Sequence, residues 1–183
     1  MIQRVAGAGR YAQPEREQRW LLSRLPHDLR RPVTIVDHYI SGTRLRLRRM
    51  QSGADIVYKL AQKVRPHEDS PALVQLTNIY LSDDEYAILS TLGGHQIHKT
   101  RWLWADGDRD LAVDEFGGSL TGLLLAEIEL QPDERRRPGP PFALAEVTDD
   151  DRFSGGRLAT TTGPELQAVL AGLGTVAPRP PVP

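Results

Sequence analysis

The chain has no cysteine. Disulfide scaffolds, thiolate metal sites and cysteine nucleophiles are therefore excluded, and a reducing cytosol is the natural compartment to expect. No segment approaches the roughly 20 consecutive apolar residues that span a bilayer. Met1 to Arg10 holds no apolar stretch of signal-peptide length. Neither sign of charge dominates, since 23 lysines and arginines stand against 24 aspartates and glutamates for a formal charge of -1. Bulk positive charge of the kind that holds a protein to nucleic acid is thus missing. There is no GxxxxGK phosphate loop and no internal repeat. The expectation is a soluble cytoplasmic protein, monomer or homodimer, with no membrane and no nucleic-acid partner.

What the chain does have is alternation. Arg44, Arg46 and Arg48 share one phase with Leu45 and Leu47 on the other, and Lys59, Ala61 and Lys63 alternate with Tyr58, Leu60 and Gln62. Lys99, Arg101 and Leu103 alternate with Thr100, Trp102 and Trp104; Leu125, Glu127 and Glu129 alternate with Ala126, Ile128 and Leu130. Period two over such lengths predicts strands, as do Glu15 to Leu21, Asp110 to Asp114, Val33 to Ile40 and Ala72 to Tyr80. Helices are fewer. Ser82 to Leu92 carries an N-cap serine, Glu85 three residues on and a Gly93-Gly94 stop. Pro164 to Leu173 has proline in its first turn and Gly174 after its end, and Pro141 to Val147 is expected to make a short helical turn. Arg135-Arg136-Arg137 with the prolines that follow reads as a solvated loop. The reading is mainly β within an α+β fold. Residues 1–14 are expected to be a flexible start, 15–173 a single domain, and 174–183 a proline-rich disordered tail.

The charges within the strands are unusual in kind. Glu15 with Glu17 and Glu127 with Glu129 are i, i+2 acidic pairs, each projecting to one face of its strand, and like charges that close destabilise unless something neutralises them. The arginine run at 44–48 and the Lys99-Arg101 pair pose the opposite problem. One solution puts Arg19, Arg44, Arg46, Arg48, Lys59, Lys63, Lys99 and Arg101 beside Glu15, Glu17, Asp114, Glu127 and Glu129 on the inner face of a closed sheet. An open sheet with one wet face fits the alternation equally well. A charged interior must be wet and hold a ligand, because unpaired buried charge is costly. Arginine and lysine in number suit phosphate oxygens, and paired carboxylates suit a hard divalent cation such as Mg²⁺ or Mn²⁺. The histidines (His27, His38, His67, His95 and His98) show no metal-ligand spacing. Trp102 and Trp104 are expected to be outer packing under a helix.

Glu15-x-Glu17-x-Arg19 resembles the N-terminal ExExK signature of the CYTH family, the triphosphate tunnel metalloenzymes, which includes class IV adenylate cyclases, thiamine triphosphatases and inorganic triphosphatases. The match continues in order. Tyr39 with Arg44-Leu-Arg-Leu-Arg48 is similar to the family's LRxR strand, Leu60-Ala-Gln-Lys63 to LTxK, and Lys99-Thr-Arg101 to KxR. Asp114-Glu-Phe116, Gly122-Leu123 and Ala126-Glu127-Ile-Glu129 resemble the DxF…GL…AEIE block, and Val147-Thr148 to Leu158 its late VT segment. The resemblance spans about Glu15 to Leu158 and implies an eight-stranded antiparallel closed β-barrel, with a few helices packed outside and a charged interior. It implies a triphosphatase that hydrolyses inorganic triphosphate or a small organic triphosphate with Mg²⁺ or Mn²⁺. An adenylate cyclase of the same fold and a non-catalytic triphosphate- or polyphosphate-binding module are the alternatives. By the resemblance, Glu15, Glu17, Asp114, Glu127 and Glu129 bind metal. Arg19, Arg44, Arg46, Arg48, Lys59, Lys63, Lys99, Arg101 and Arg157 bind phosphate, and Glu15, Glu17 and Arg19 are the catalytic set. Two departures stand out. Arg19 replaces the family lysine and stays protonated, so it serves neither as acid nor as base. Ala61 replaces the threonine of LTxK and removes one hydroxyl.

Overall fold

The computed structural model describes residues 11–64 and 73–173. Part of the expected flexible start and all of the expected tail at 174–183 lie outside the described residues. Among the described residues nine strands run in the order β1 (Gln13–Leu22), β2 (Arg30–Ile40), β3 (Leu45–Ser52), β4 (Asp55–Val64), β5 (Leu73–Leu81), β6 (Gly94–Asp106), β7 (Arg109–Phe116), β8 (Leu124–Glu129) and β9 (Ala143–Glu146). Three helices accompany them: α1 (Asp83–Ser90), α2 (Gly155–Leu158) and α3 (Gly163–Gly172). β1 begins at Gln13, two residues ahead of the boundary expected from the sequence.

All pairings are antiparallel, and the spatial order is β5-β4-β3-β2-β6-β7-β8-β1-β9 with β5 also paired to β1. That last pairing, Gln13 to Arg16 against Leu76 to Leu73, closes eight strands into a barrel and removes their open edges. The hairpins are tight where the sequence demands it. Ser52 pairs Asp55 across Gly53-Ala54, and Asp106 pairs Arg109 across Gly107-Asp108. Gly53 and Gly107 have φ of 60° and 66°, the left-handed values that two-residue hairpin turns require.

Pro141 to Val147 does not form the expected helical turn; its middle is β9. The cause is on β1. Pairing with β5 ends at Arg16, which leaves the same edge of Trp20 to Leu22 open, and Ala143 to Glu146 fill it. An unpaired buried edge would strand backbone donors and acceptors, so strand pairing prevails over local helical preference.

Among the described residues the buried apolar side chains form two cores. Outside the barrel, Trp20, Leu111, Val113, Ala126 and Ile128 pack with Phe142, and Trp102 and Trp104 lean on them. Trp104 meets Phe142 edge to face at 4.9 Å. The tryptophans are outer packing as expected, but their cover includes Phe142 from the segment that follows β8 rather than a helix. That segment is stapled down. Buried Gln18 donates to the Arg137 carbonyl (2.9 Å) and accepts from its N–H (2.8 Å). Arg136 reaches Glu146 (3.0 Å) and Asp149 (2.6 Å); the segment is a loop with Arg135 and Arg136 exposed, as expected, and Arg136 and Arg137 tether it. Inside one end of the barrel, Leu21, Ile97, Phe116 and Leu125 pack against Phe153, Leu158, Leu166 and Leu170. The residues around α2 and α3 therefore form an apolar floor beneath the charged interior. Both longer helices have the capping boxes their sequences announce, Ser82 with Glu85 and Thr162 with Glu165.

Candidate functional site

The inward phases of the strands meet in a cavity of about 670 Å³, within the range of small-molecule sites. Its wall carries Glu15, Glu17 and Arg19 from β1, Arg46 and Arg48 from β3, Lys63 from β4, Lys99 and Arg101 from β6, and Glu127 from β8. Arg44, in the turn before β3, also lines it. The strand register explains the convergence: Arg19 lies opposite Glu127, and Glu127 in turn opposite Ala112. Period two keeps each neighbour on the same face.

Several carboxylates are bound to the cations. Arg101 bridges Asp114 (2.7 and 2.6 Å) and Glu127 (2.5 Å), and Lys99 donates to Asp114 at 2.5 Å. Lys63 contacts Glu15 and stands 3.7 Å from Glu17. Burial pushes the Glu17 carboxyl up; Lys63 offsets part of this, and repulsion from Glu127 and Glu15 adds to it. Burial acts the same way on Glu127, but Arg101 and Lys99 prevail and hold that carboxyl well below the usual range. Lys99 is pushed down by burial and by Arg101, more than Asp114 lifts it.

Four residues expected at the site stand elsewhere. Lys59 shares the inward phase, opposite Arg48, but its ammonium sits over the Tyr80 ring at 4.9 Å and it does not line the cavity. Glu129 is exposed beside Glu17 at the end of β8. Arg157 is exposed on α2 and borders a separate depression with Glu165 and Leu166. Asp114 is fully buried, and each of its oxygens accepts a hydrogen bond from Lys99 or Arg101, so its carboxylate is directed at these two cations rather than the open cavity.

Arg19 lines the cavity but is largely committed to the floor. Its guanidinium donates to the Phe153 carbonyl (2.8 Å), and its backbone N–H donates to Thr148 Oγ1 (3.0 Å). The floor itself fits closely: a Cβ placed on Gly155 would lie 2.0 Å from Tyr39 Oη. A Gly155→Ala variant is expected to lose about 1–3 kcal/mol by overpacking, with partial relief in a Gly155→Ala/Tyr39→Phe double variant. Thermal melting checks both, and an unshifted midpoint in the single variant counts against the fit.

Asp37 is a wall residue that the sequence did not announce. It lies in β2 with Tyr39 on the inward phase, 2% exposed, and accepts two hydrogen bonds from Arg48 at 2.5 and 2.7 Å. Arg46 is 3.5 Å away. Burial alone would raise its pKa; the Arg48 hydrogen bond and the Arg46 charge instead bring it down to about 2. The available signal was a lone acid on the face of β2 that pairs with the arginine strand.

No family model and no curated protein matches the chain. Solved structures do. The crystal structure of the inorganic triphosphatase NE1496 is 25% identical, with a TM-score of 0.56, and the match covers 80% of this chain and 95% of that one. A second crystal structure, described as that of the hypothetical protein NE1496, gives 24% identity and a TM-score of 0.57 over 81% and 99% of the two chains. The motifs from Glu15 to Leu158 that resemble the CYTH family run in order through a closed eight-stranded barrel, and the fold of the chain is similar to that of the inorganic triphosphatase NE1496.

Proposed function

We propose that this protein is a divalent-metal-dependent, cytoplasmic triphosphatase that hydrolyses inorganic triphosphate or a small organic triphosphate in the barrel interior. The observation that carries this reading is the shared cavity. Glu15, Glu17 and Glu127 face the same space as Arg46, Arg48, Lys63, Lys99 and Arg101. The fold shared with an inorganic triphosphatase supports it.

The donor chemistry fits Mg²⁺ or Mn²⁺, since carboxylate oxygens are the ligands these hard cations take. Glu17, raised chiefly by burial, faces the cavity with Glu15 and Glu127. Among the described residues no three such side chains stand close enough to hold a metal ion as they are; Lys63 lies between Glu15 and Glu17, and Arg101 holds Glu127. In this reading the phosphate chain draws Lys63 and Arg101 onto its own oxygens and frees the three carboxylates for the cation. A divalent cation so held would neutralise phosphate charge and lower the pKa of a bound water.

The chain's own residues do the rest. Arginines grip phosphate oxygens through the donors left to them; Asp37 and Asp114 keep Arg48 and Arg101 in place while Lys63 and Arg101 exchange their glutamate contacts for phosphate. Lys99 and Lys63 add point charges. Water attacks the terminal phosphorus, the phosphoanhydride P–O bond breaks, and orthophosphate leaves with the shortened chain. Arg19 holds the floor under this site through its hydrogen bond to the Phe153 carbonyl.

The test is phosphate release from tripolyphosphate, thiamine triphosphate and ATP with Mg²⁺ or Mn²⁺, beside calorimetric titration of the same ligands. Metal-dependent release from at least one triphosphate, stopped by a chelator, is expected. Tight binding without release from any of them would replace the reading with a binding module, and cyclic AMP from ATP would replace it with a cyclase.

A further inference from the structure

The basic wall of the cavity contains one group that works against its apparent purpose. β2, β3 and β6 present Arg46, Arg48, Lys99 and Arg101 to the interior, yet Asp37 stands among them, 2% exposed and held by both donors of the Arg48 fork. A carboxylate repels an arriving phosphate and withholds Arg48 donors that would otherwise bind it. The other inward residues of β2 near this level, Ile35 and Tyr39, are uncharged, so the acid is not part of a general pattern on the strand.

What Asp37 does provide is placement. Two parallel hydrogen bonds from one guanidinium fix both its position and its plane. Arg46, 3.5 Å from the same carboxylate, is held beside it. Without the acid, the two arginines would face each other and Lys99 across a confined space, and would splay apart. The expectation is a gain of net attraction for a polyanion and a loss of alignment against the reacting phosphate. Those effects fall on different constants, affinity on the first and turnover on the second.

We propose that Asp37 is a positioning residue that trades affinity for turnover, aligning Arg46 and Arg48 against the triphosphate while reducing the attraction of the basic wall. The inference rests on the triphosphatase reading above and deepens it.

The test is Asp37→Asn, which keeps shape and one acceptor but removes the charge. Tripolyphosphate binding without metal is measured by calorimetry, and steady-state phosphate release is measured with metal. The expected result is a Kd about tenfold tighter, as the loss of one repulsive charge of about 1.4 kcal/mol would give, together with a kcat at least about tenfold lower. A residue that only supported the fold would lose affinity and turnover in parallel, or change neither; either result overturns the proposal. If Asp37→Asn fails to fold by circular dichroism, Asp37→Glu serves instead. It keeps the charge and displaces the fork, so unchanged affinity with lowered kcat is expected, and unchanged kcat overturns the proposal. If the wild-type protein binds tripolyphosphate but never hydrolyses it, the triphosphatase reading fails and the proposed trade fails with it, whatever Asp37→Asn does to affinity; hydrolysis by the wild type with unchanged kcat in Asp37→Asn overturns the proposal alone.

Discussion

A Glu127→Gln variant is expected to lose at least about a hundredfold in phosphate release, the scale seen when one preorganised electrostatic group is removed from a reacting centre. Glu127 sits on β8 within the cavity wall and takes a 2.5 Å contact from Arg101. Burial favours its neutral form, but Arg101 and Lys99 outweigh that and hold the carboxyl below the usual carboxylate range. Glutamine fills the same volume without the charge. Two consequences compound. The cluster with Glu15 and Glu17 loses one of the three carboxylates that face the cavity. Arg101 also loses one of its two anchors and with it part of its alignment towards phosphate. The fold should tolerate the change, because Arg101 keeps its paired hydrogen bonds to Asp114. A loss of about 2 kcal/mol is expected, the usual worth of a hydrogen bond to a charged group. The two readouts therefore separate: release collapses while the melting midpoint moves by a few degrees. Undiminished release by a folded Glu127→Gln protein would remove this carboxylate from the chemistry.

Much of this site was legible because the period of a strand is a local property. The faces shared by Glu15 and Glu17, by Arg46 and Arg48, and by Lys99 and Arg101 follow from spacing alone, and the barrel's register brings those faces together. Phase fixes the face a side chain takes but not how far along the barrel it lies or where its end turns. Lys59 and Glu129 share the inward phase and still miss the cavity, one drawn to Tyr80 and the other left exposed beside Glu17. Asp37 was missed for a related reason. As the one acid of β2 it resembles an isolated polar residue, and its meaning comes only from the register that sets it opposite Arg48. β9 was misread because its stabilisation is not local. Ala143 to Glu146 are extended on account of the edge β1 offers at Trp20 to Leu22, more than a hundred residues earlier. The floor made by Phe153 and Leu158 depends in the same way on Leu21, Ile97 and Phe116, which no spacing rule connects to them.

Asp114→Asn is expected to do the opposite of Glu127→Gln, striking the fold first. The Asp114 side chain is 0% exposed and Lys99 only 7%. One carboxylate oxygen accepts from Lys99 at 2.5 Å and from Arg101 at 2.6 Å, and the other accepts from Arg101 at 2.7 Å. An asparagine offers one acceptor and no charge, which leaves two buried cations facing each other with Glu127 as the remaining counter-charge. Breaking a buried pair from one side costs roughly 3–5 kcal/mol. At about 2–4 °C per kcal/mol for a domain of this size, the midpoint should fall by roughly 10 °C. Lys99 should respond by losing its proton more readily, since Asp114 is the largest influence holding its pKa up against burial and Arg101. The family resemblance gives Asp114 a different duty, as a metal ligand, and the two roles part in experiment. A ligand's loss weakens the apparent affinity for Mg²⁺ or Mn²⁺ and spares the metal-free midpoint. An anchor's loss lowers the metal-free midpoint, and tripolyphosphate alone then raises it further in the variant than in the wild type, because phosphate oxygens replace the missing partner of Lys99 and Arg101. Scanning calorimetry of both proteins, with and without tripolyphosphate and in chelator, reads this directly. A metal-free midpoint unmoved by Asp114→Asn would return the residue to the metal and leave Lys99 and Arg101 to be held by Glu127 and the bound phosphate.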